Sequence, residues 1–234
     1  MNVKAVIVAA FAALTAAHLA FGQGFAGLGT SADDYAPVRP NVTLSFPRDH
    51  SAHPAFRIEW WYLTANLDFA DGREGGAQWT LFRQASRPYD GASGWDSGQV
   101  WMGHAALTLP DAHYVAERFA RGGVGQAGVA GDPFSAWIDH WHMTSPDQGY
   151  DTLTLSARGE AFGYDLTLNA TGPLVLHGEK GHSVKSEQGQ ASYYYSQPHY
   201  QVTGTAMVEG AQIAVTGTAW LDREWSSQPL SADQ

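Results

Sequence analysis

From about residue 57 the chain alternates apolar and polar positions with a period of two. Between Arg57 and Phe69 one set of alternate positions is Glu59, Trp61, Leu63, Ala65, Leu67 and Phe69; the other is Ile58, Trp60, Tyr62, Thr64, Asn66 and Asp68. Successive side chains of a strand point to opposite faces, so this pattern predicts a strand. Its more apolar face is headed, unusually, by the carboxylate of Glu59. Asp71-Gly72 turns the chain into a second strand, Ala77 to Gln84, with Trp79, Leu81 and Arg83 on one face. Residues 88–98 read as a loop. Gln99 to Leu109 is a strand with His104 in its middle, and Asp111-Ala112 turns into a short strand or helix at His113 to Phe119. Residues 121–134 read as Gly-rich and irregular.

Further strands are predicted at Ala136 to Thr144, Tyr150 to Arg158 and Ala161 to Ala170. The last two are marked by Leu153 and Leu155, then by Phe162, Tyr164, Leu166 and Leu168. Residues 178–189 form a polar loop. Tyr193 to Tyr195 opens the next strand, Gln201 to Val208 follows, and Glu209-Gly210 makes a tight turn into Ala211 to Leu221. Hairpin-linked strands with no helical period between them predict an antiparallel all-β fold. A parallel sheet would need crossover helices. Long strands with two differently filled faces favour a closed barrel over a sandwich.

Composition agrees with this pattern. Hydrophobic residues make up 44% of the chain and charged residues 15%, with Trp 9, Tyr 10 and Phe 10. That balance suits an aromatic-rich β protein and excludes a disordered chain. At 234 residues there is room for one large or two small domains. The formal charge of -10, with no basic stripe, excludes nucleic acid as a partner. There is no Cys, so neither disulfides nor thiolate metal sites can form.

Residues 1–23 read as a signal peptide: Lys4, an apolar run from Ala5 to Leu19, and the small-x-small pattern of Ala20-Phe21-Gly22 before Gln23. That run is too short for a stable membrane span. A secreted or periplasmic location follows. Residues 24–45 then read as a linker.

The densest motif closes the last strand. Trp220 and Asp222 of Thr218-Ala-Trp-Leu-Asp-Arg-Glu-Trp225 share one face, placing a carboxyl beside an indole. Asp222 is the first candidate for chemistry; its alternative is a salt bridge to an arginine such as Arg57 or Arg83. Glu59 is a second candidate carboxyl, with pairing to Arg57 or Arg223 as its structural alternative. His104 lies between Gly103 and Ala105, small neighbours that would leave room for a ligand; it could equally be a satisfied core group. His140 and His142 read as sharing a strand face, and His50 and His53 share a loop, but neither pair has a visible third ligand, so no metal is expected. No Gly-x-Ser-x-Gly nucleophile elbow occurs. The loop Leu176-His-Gly-Glu-Lys-Gly181 reads as a strand connector or lid.

Phe46-Pro-Arg-Asp-His50, Glu59-Trp-Trp-Tyr62, Thr80-Leu-Phe-Arg83, Gly103-His-Ala105, Ser192-Tyr-Tyr-Tyr-Ser196 and Ala219-Trp-Leu-Asp-Arg-Glu-Trp-Ser226 occur in this order. Together they resemble the AttH-like family of carotenoid 1,2-hydratase (hydroxyneurosporene synthase) type, over roughly residues 45–234. The resemblance implies an antiparallel lipocalin-like barrel over 46–221. It also implies a second lipocalin-like domain, of which 222–234 would be the truncated start. It implies no cofactor. It further implies a hydrophobic, isoprenoid- or lipid-like small-molecule ligand and acid-assisted addition of water to a C=C bond. In that reading Asp222 is the acid, flanked by Trp220, Tyr194, Glu59 and His104. Trp60, Trp61, Trp101, Tyr195 and Arg83 line the ligand. Cation stabilisation by indole and phenol faces and a carboxyl kept protonated among apolar groups are what the reaction requires. A non-catalytic carrier and an envelope interaction module are the alternatives.

Overall fold

The structure, a computed structural model, describes residue 32 and residues 34–146 and 149–228. The expected signal peptide at 1–23 and the first part of the linker lie outside the described residues.

Thirteen strands follow a short 3-10 turn at Arg48–His50, with no α-helix among the described residues. They are β1 (Ile58–Phe69), β2 (Glu74–Ala85), β3 (Gln99–Thr108), β4 (His113–Arg121), β5 (Ala127–Gly131), β6 (Phe134–Ile138), β7 (Trp141–Thr144), β8 (Thr152–Arg158), β9 (Phe162–Ala170), β10 (Val175–Leu176), β11 (His182–Val184), β12 (Ala191–Val208) and β13 (Ala211–Ser226). Their order is β4-β3-β2-β1-β13-β12-β9-β8-β7-β6-β5, with the short β10 and β11 both paired to β12. Every pairing is antiparallel. The result is the expected all-β fold, a nearly closed barrel of eleven strands.

Between its two ends the barrel is filled by side chains. No ladder joins β4 to β5 among the described residues. Instead, Ile138 and Trp141 press against Gly103 of β3. A Cβ there would lie 2.7 Å from the Ile138 side chain. The Arg118 guanidinium of β4 lies 4.8 Å over the Trp141 ring.

The inward positions are the apolar sets read from the sequence. Trp61, Leu63, Trp79, Leu81, Leu153, Leu155, Tyr164, Leu168, Tyr195, Tyr200 and Leu221 are all essentially inaccessible to solvent. Each large apolar side chain so buried contributes about 1.5–3 kcal/mol before conformational entropy is set against it.

Several boundaries differ from the pattern-based expectation. Residues 127–131 form β5 rather than an irregular stretch. Its small residues hide the period, and Gly128 is where the Trp137 ring lies; a Cβ would stand 2.8 Å from it. The predicted strand 136–144 is a hairpin, β6 and β7, turned at Asp139, whose φ is 52°. The predicted strands at 193–195 and 201–208 are one strand, β12, with a register shift between Gln197 and Tyr200 that accommodates Pro198.

At the expected domain boundary of 221/222, β13 pairs with β1 without a break from Val215 through Ser226, so Asp222 is part of the barrel wall. The described part of the presumed linker, residues 34–45, is irregular but packed. Val38 and Leu44 are buried, and the Tyr35 hydroxyl donates to the Ala85 carbonyl at 3.1 Å.

Candidate functional site

β13 sorts its side chains to two sides. Trp220, Asp222 and Glu224 face outward; Leu221, Arg223 and Trp225 face inward. Across the sheet, Asp222 stands opposite Tyr62 of β1 and Ser196 of β12. Three donors converge on one of its oxygens. The Ser196 hydroxyl (2.5 Å), the Trp220 indole N–H (2.7 Å) and the Tyr194 hydroxyl (2.9 Å) all donate to Oδ1. Oδ2 has no hydrogen-bond partner among the described residues.

Asp222 lines an open cleft of about 350 Å³ with Thr64, Asn66, Pro198, Thr218 and Trp220. Tyr194 is clamped beside it. The His177 ring stacks on one phenol face at 3.8 Å, and Lys185 Nζ lies 4.6 Å from the ring centre. His177 Nε2 is 2.6 Å from Ser196 Oγ, so a continuous hydrogen-bonded path runs from imidazole to hydroxyl to carboxylate. Burial, then the hydrogen bond to Asp222, pushes the Tyr194 phenol up to about 12, so it remains a donor at neutral pH. Asp222 forms no ion pair among the described residues, so the salt-bridge alternative to Arg57 or Arg83 is not realised.

Glu59 belongs to the other side. It is fully buried, between Arg83 Nε (2.9 Å), Arg223 and the His53 imidazole, whose Nδ1 is 2.7 Å away. Burial opposes its charge, but the Arg223 and Arg83 guanidiniums and His53 outweigh it and hold the carboxyl well below the usual range. Glu59, expected among the catalytic residues, is thus held as a buried anion, in the pairing with Arg223 weighed at the outset.

Arg83, expected to line the ligand, belongs to the same buried cluster. Its remaining donors go to Gln99 Oε1 (2.6 Å) and to the His53 and Phe56 carbonyls (both 2.9 Å). Arg223 lies 3.9 Å from the Trp61 ring centre and 5.0 Å from that of Trp225, and donates to the Ser51 carbonyl at 2.6 Å. It thus bolts the last strand to the first and to the chain after the 3-10 turn. Trp61, Trp101 and Tyr195, also expected to line the ligand, lie in the core, each buried to 5% exposure or less.

The sequence model described as AttH-like matches residues 37–234. The chain belongs to the AttH-like family. A solved structure described as a candidate AttH of Nitrosomonas europaea is 38% identical, with a TM-score of 0.72 over 84% of this chain and 60% of that one. Kievitone hydratase from Nectria haematococca superposes with a TM-score of 0.58 at 12% identity, over 85% of this chain and 56% of that one; it shares the fold. No curated protein matches. This AttH-like chain thus spans about three fifths of the length of the solved relatives it matches.

Within this AttH-like barrel the remaining expected residues fall as follows. Trp60 faces outward opposite Glu224, on the same side as Asp222. His104 also faces outward, but β1 and β2 separate its strand from β13, about 14 Å at the usual strand spacing. It does not join the Asp222 cluster. Its Nε2 lies 3.4 Å from Glu117, an ion-pair distance. The small neighbours Gly103 and Ala105 point inward, so the room they leave is taken by Ile138 and Trp141. His140 sits in the β6–β7 turn, so it and His142 do not share a strand face.

Tyr62, Ser196 and His177 were missed. Tyr62 and Ser196 could have been found from period-two alternation once β1 was paired with β13 and β13 with β12. His177 had no such signal, because it lies in the connector after β10 and reaches Tyr194 only through the pairing of its backbone N–H to the Tyr194 carbonyl at 3.1 Å.

Proposed function

We propose that this AttH-like protein binds a hydrophobic, isoprenoid- or lipid-like small molecule on the outward face around Asp222 and adds water to one of its C=C bonds. This is acid-assisted chemistry of the carotenoid 1,2-hydratase type. The observation that carries the reading is the asymmetry of the Asp222 carboxyl. Oδ1 is fixed by Ser196, Trp220 and Tyr194, while Oδ2 is unpartnered at an open cleft. A carboxyl oriented in this way presents one oxygen to a ligand in a set direction.

In the protonated state, Oδ2–H transfers its proton to the less substituted alkene carbon. The π pair forms the new C–H bond and leaves a tertiary cation on the other carbon. In this reading the Trp220 ring, which lines the cleft, stabilises that cation, and Trp60 and Tyr62 lie on the same side of the sheet. A water oxygen then bonds to the cation, and its surplus proton returns to the carboxylate or enters the Ser196–His177 path, for net addition of one water. The neighbour solved under the name kievitone hydratase supports the reading only by sharing the fold, since one fold hosts many reactions. Export, directed by residues 1–23, is part of the proposal.

Incubation with squalene or geraniol in H₂18O, followed by mass spectrometry, tests it. Labelled tertiary alcohol from the natural protein, and none from Asp222→Asn, is the expected result. A non-catalytic carrier is the second reading, favoured by the openness of the cleft and by Trp220, which is 45% exposed. It is the reading that survives if squalene quenches Trp fluorescence saturably and no alcohol forms with either protein. No quenching and no alcohol would discard both.

A further inference from the structure

We propose that the cleft at the 3-10 turn is a second small-molecule site, separate from Asp222, for a neutral, flat, apolar ligand that donates a hydroxyl hydrogen to His50 Nε2. The cleft holds about 360 Å³, at the low end of small-molecule sites, and is lined by Phe46, Pro47, His50, Tyr150, Pro173 and Leu174. Gln197 also lines it, from the side of β12 opposite to Ser196, so β12 separates the two sites.

His50 is 2% exposed, and its ring is clamped between Tyr150 (centroids 3.7 Å apart, 20° between planes) and Phe46 (4.9 Å, 28°). Its Nδ1 lies 2.7 Å from the Tyr195 hydroxyl, which spends its own hydrogen on the Asp49 carbonyl at 3.2 Å. With that hydrogen on the Asp49 carbonyl, the Tyr195 oxygen accepts from Nδ1–H, the tautomer that the hydrogen-bond network assigns. Burial, then the Arg223 cation, pushes the imidazole down to about 3 against the opposing charge of Asp49, so the ring is neutral at physiological pH. A neutral imidazole protonated on Nδ1 carries a lone pair on Nε2. Nε2 has no hydrogen-bond partner among the described residues, and His50 lines the cleft.

A clamped acceptor in an aromatic and proline-walled cleft selects a donor at one point and flat apolar surface elsewhere. The surroundings also select against charge. A cation at Nε2 meets the same burial and Arg223 field that keep His50 itself unprotonated. An anion meets a lone pair and Asp151, whose carboxylate also belongs to the lining.

The test uses 2-naphthol as probe, titrated calorimetrically into the full chain, with 2-methoxynaphthalene as the donor-less isostere and 2-naphthoate as the anion. The expected result is saturable binding of 2-naphthol, with both controls weaker by roughly tenfold or more. His50→Phe, which keeps a stacking ring, should weaken 2-naphthol by a similar factor. Leu174→Trp, which fills the cleft and leaves His50 in place, should remove binding while the circular dichroism spectrum stays that of the natural protein. Asp222→Asn should leave the affinity unchanged, so failure here and failure of the hydratase reading are distinguishable. Equal affinity for the naphthol and its ether would overturn the proposal. So would binding that survives both His50→Phe and Leu174→Trp, binding lost in Asp222→Asn, or no saturable binding at all.

Discussion

Asp222 and Arg223 are consecutive residues that serve opposite sides of one sheet. Asp222 points outward, where Oδ1 collects donors from Ser196, Trp220 and Tyr194. Arg223 points inward, fully buried, against Glu59 and over Trp61. The motif that packs charge most densely in the sequence is thus divided by the strand period. One half is left for chemistry, and the other half holds the barrel together.

For Asp222, the first consequence concerns activity without stability. Asp222→Asn keeps an oxygen for the three donors and removes the transferable proton. Turnover of squalene or geraniol should fall by about 10²–10⁴, the usual contribution of a general acid. The midpoint of thermal unfolding should move little, as for other solvent-facing substitutions. Assay of labelled alcohol beside a melting curve separates the two effects. A large loss of stability would make Asp222 a structural residue.

Glu59 should behave in the opposite way. Glu59→Gln leaves the Arg83 and Arg223 guanidiniums buried and uncompensated, and removing one partner of a buried ion pair costs about 3–5 kcal/mol. Urea unfolding should show that loss as a lower midpoint. A cost below about 1 kcal/mol would mean that the Glu59–Arg223 contact contributes little to the barrel.

Acid should weaken the fold in two stages. His50 stays neutral in the folded protein down to about 3, whereas in the unfolded chain it takes up a proton at about pH 6.5. The unfolded state therefore binds more protons in between, and stability falls as the pH drops below about 6.5, by at most about 1.4 kcal/mol per pH unit for this one group. Asp49 and Glu59 are both held below the usual carboxylate range, so what they contribute is present above about pH 4 and lost as the pH falls below it. Melting temperatures measured from pH 8 to pH 4 should decline from about 6.5 downward. His50→Phe should flatten the upper part of that decline; an unchanged slope in the variant would exclude His50 as its source.

Two glycines should differ in what they tolerate. A Cβ on Gly217 would lie 1.9 Å from the Asn66 carbonyl oxygen on the neighbouring strand, where only backbone can yield. A Cβ on Gly103 meets side chains instead, the Ile138 Cγ2 at 2.7 Å and the Trp141 ring at 3.3 Å, a less severe overlap. Gly217→Ala should therefore lower the melting temperature more than Gly103→Ala, and the reverse order would show that the β1–β13 pair is the softer contact.

The strands, their inward faces and the antiparallel fold were legible in the sequence, because alternation is written into consecutive residues. The period that joins Trp61 to Leu63 needs no knowledge of the rest of the chain. The same local rule put Trp220 and Asp222 on one side and marked Glu59 as an anomaly on an apolar face. It failed where side chains are small, as in β5, whose period is hidden by Ala and Gly. It failed again at His104, where the neighbouring small residues make room on the other face of the strand.

Contacts that span the chain were decided only by the tertiary structure. Glu59 and Arg223 are 164 residues apart. Whether that carboxyl is an acid or a bolt depends on β13 closing against β1 in one register. His177 reaches Ser196 and Tyr194 because a two-residue strand pairs with β12. His50 meets the Tyr195 hydroxyl, 145 residues away. A sequence fixes which side of its own strand each residue takes. Which other residues wait on that side is set by barrel closure, and with it the charge state and chemical role of each buried group.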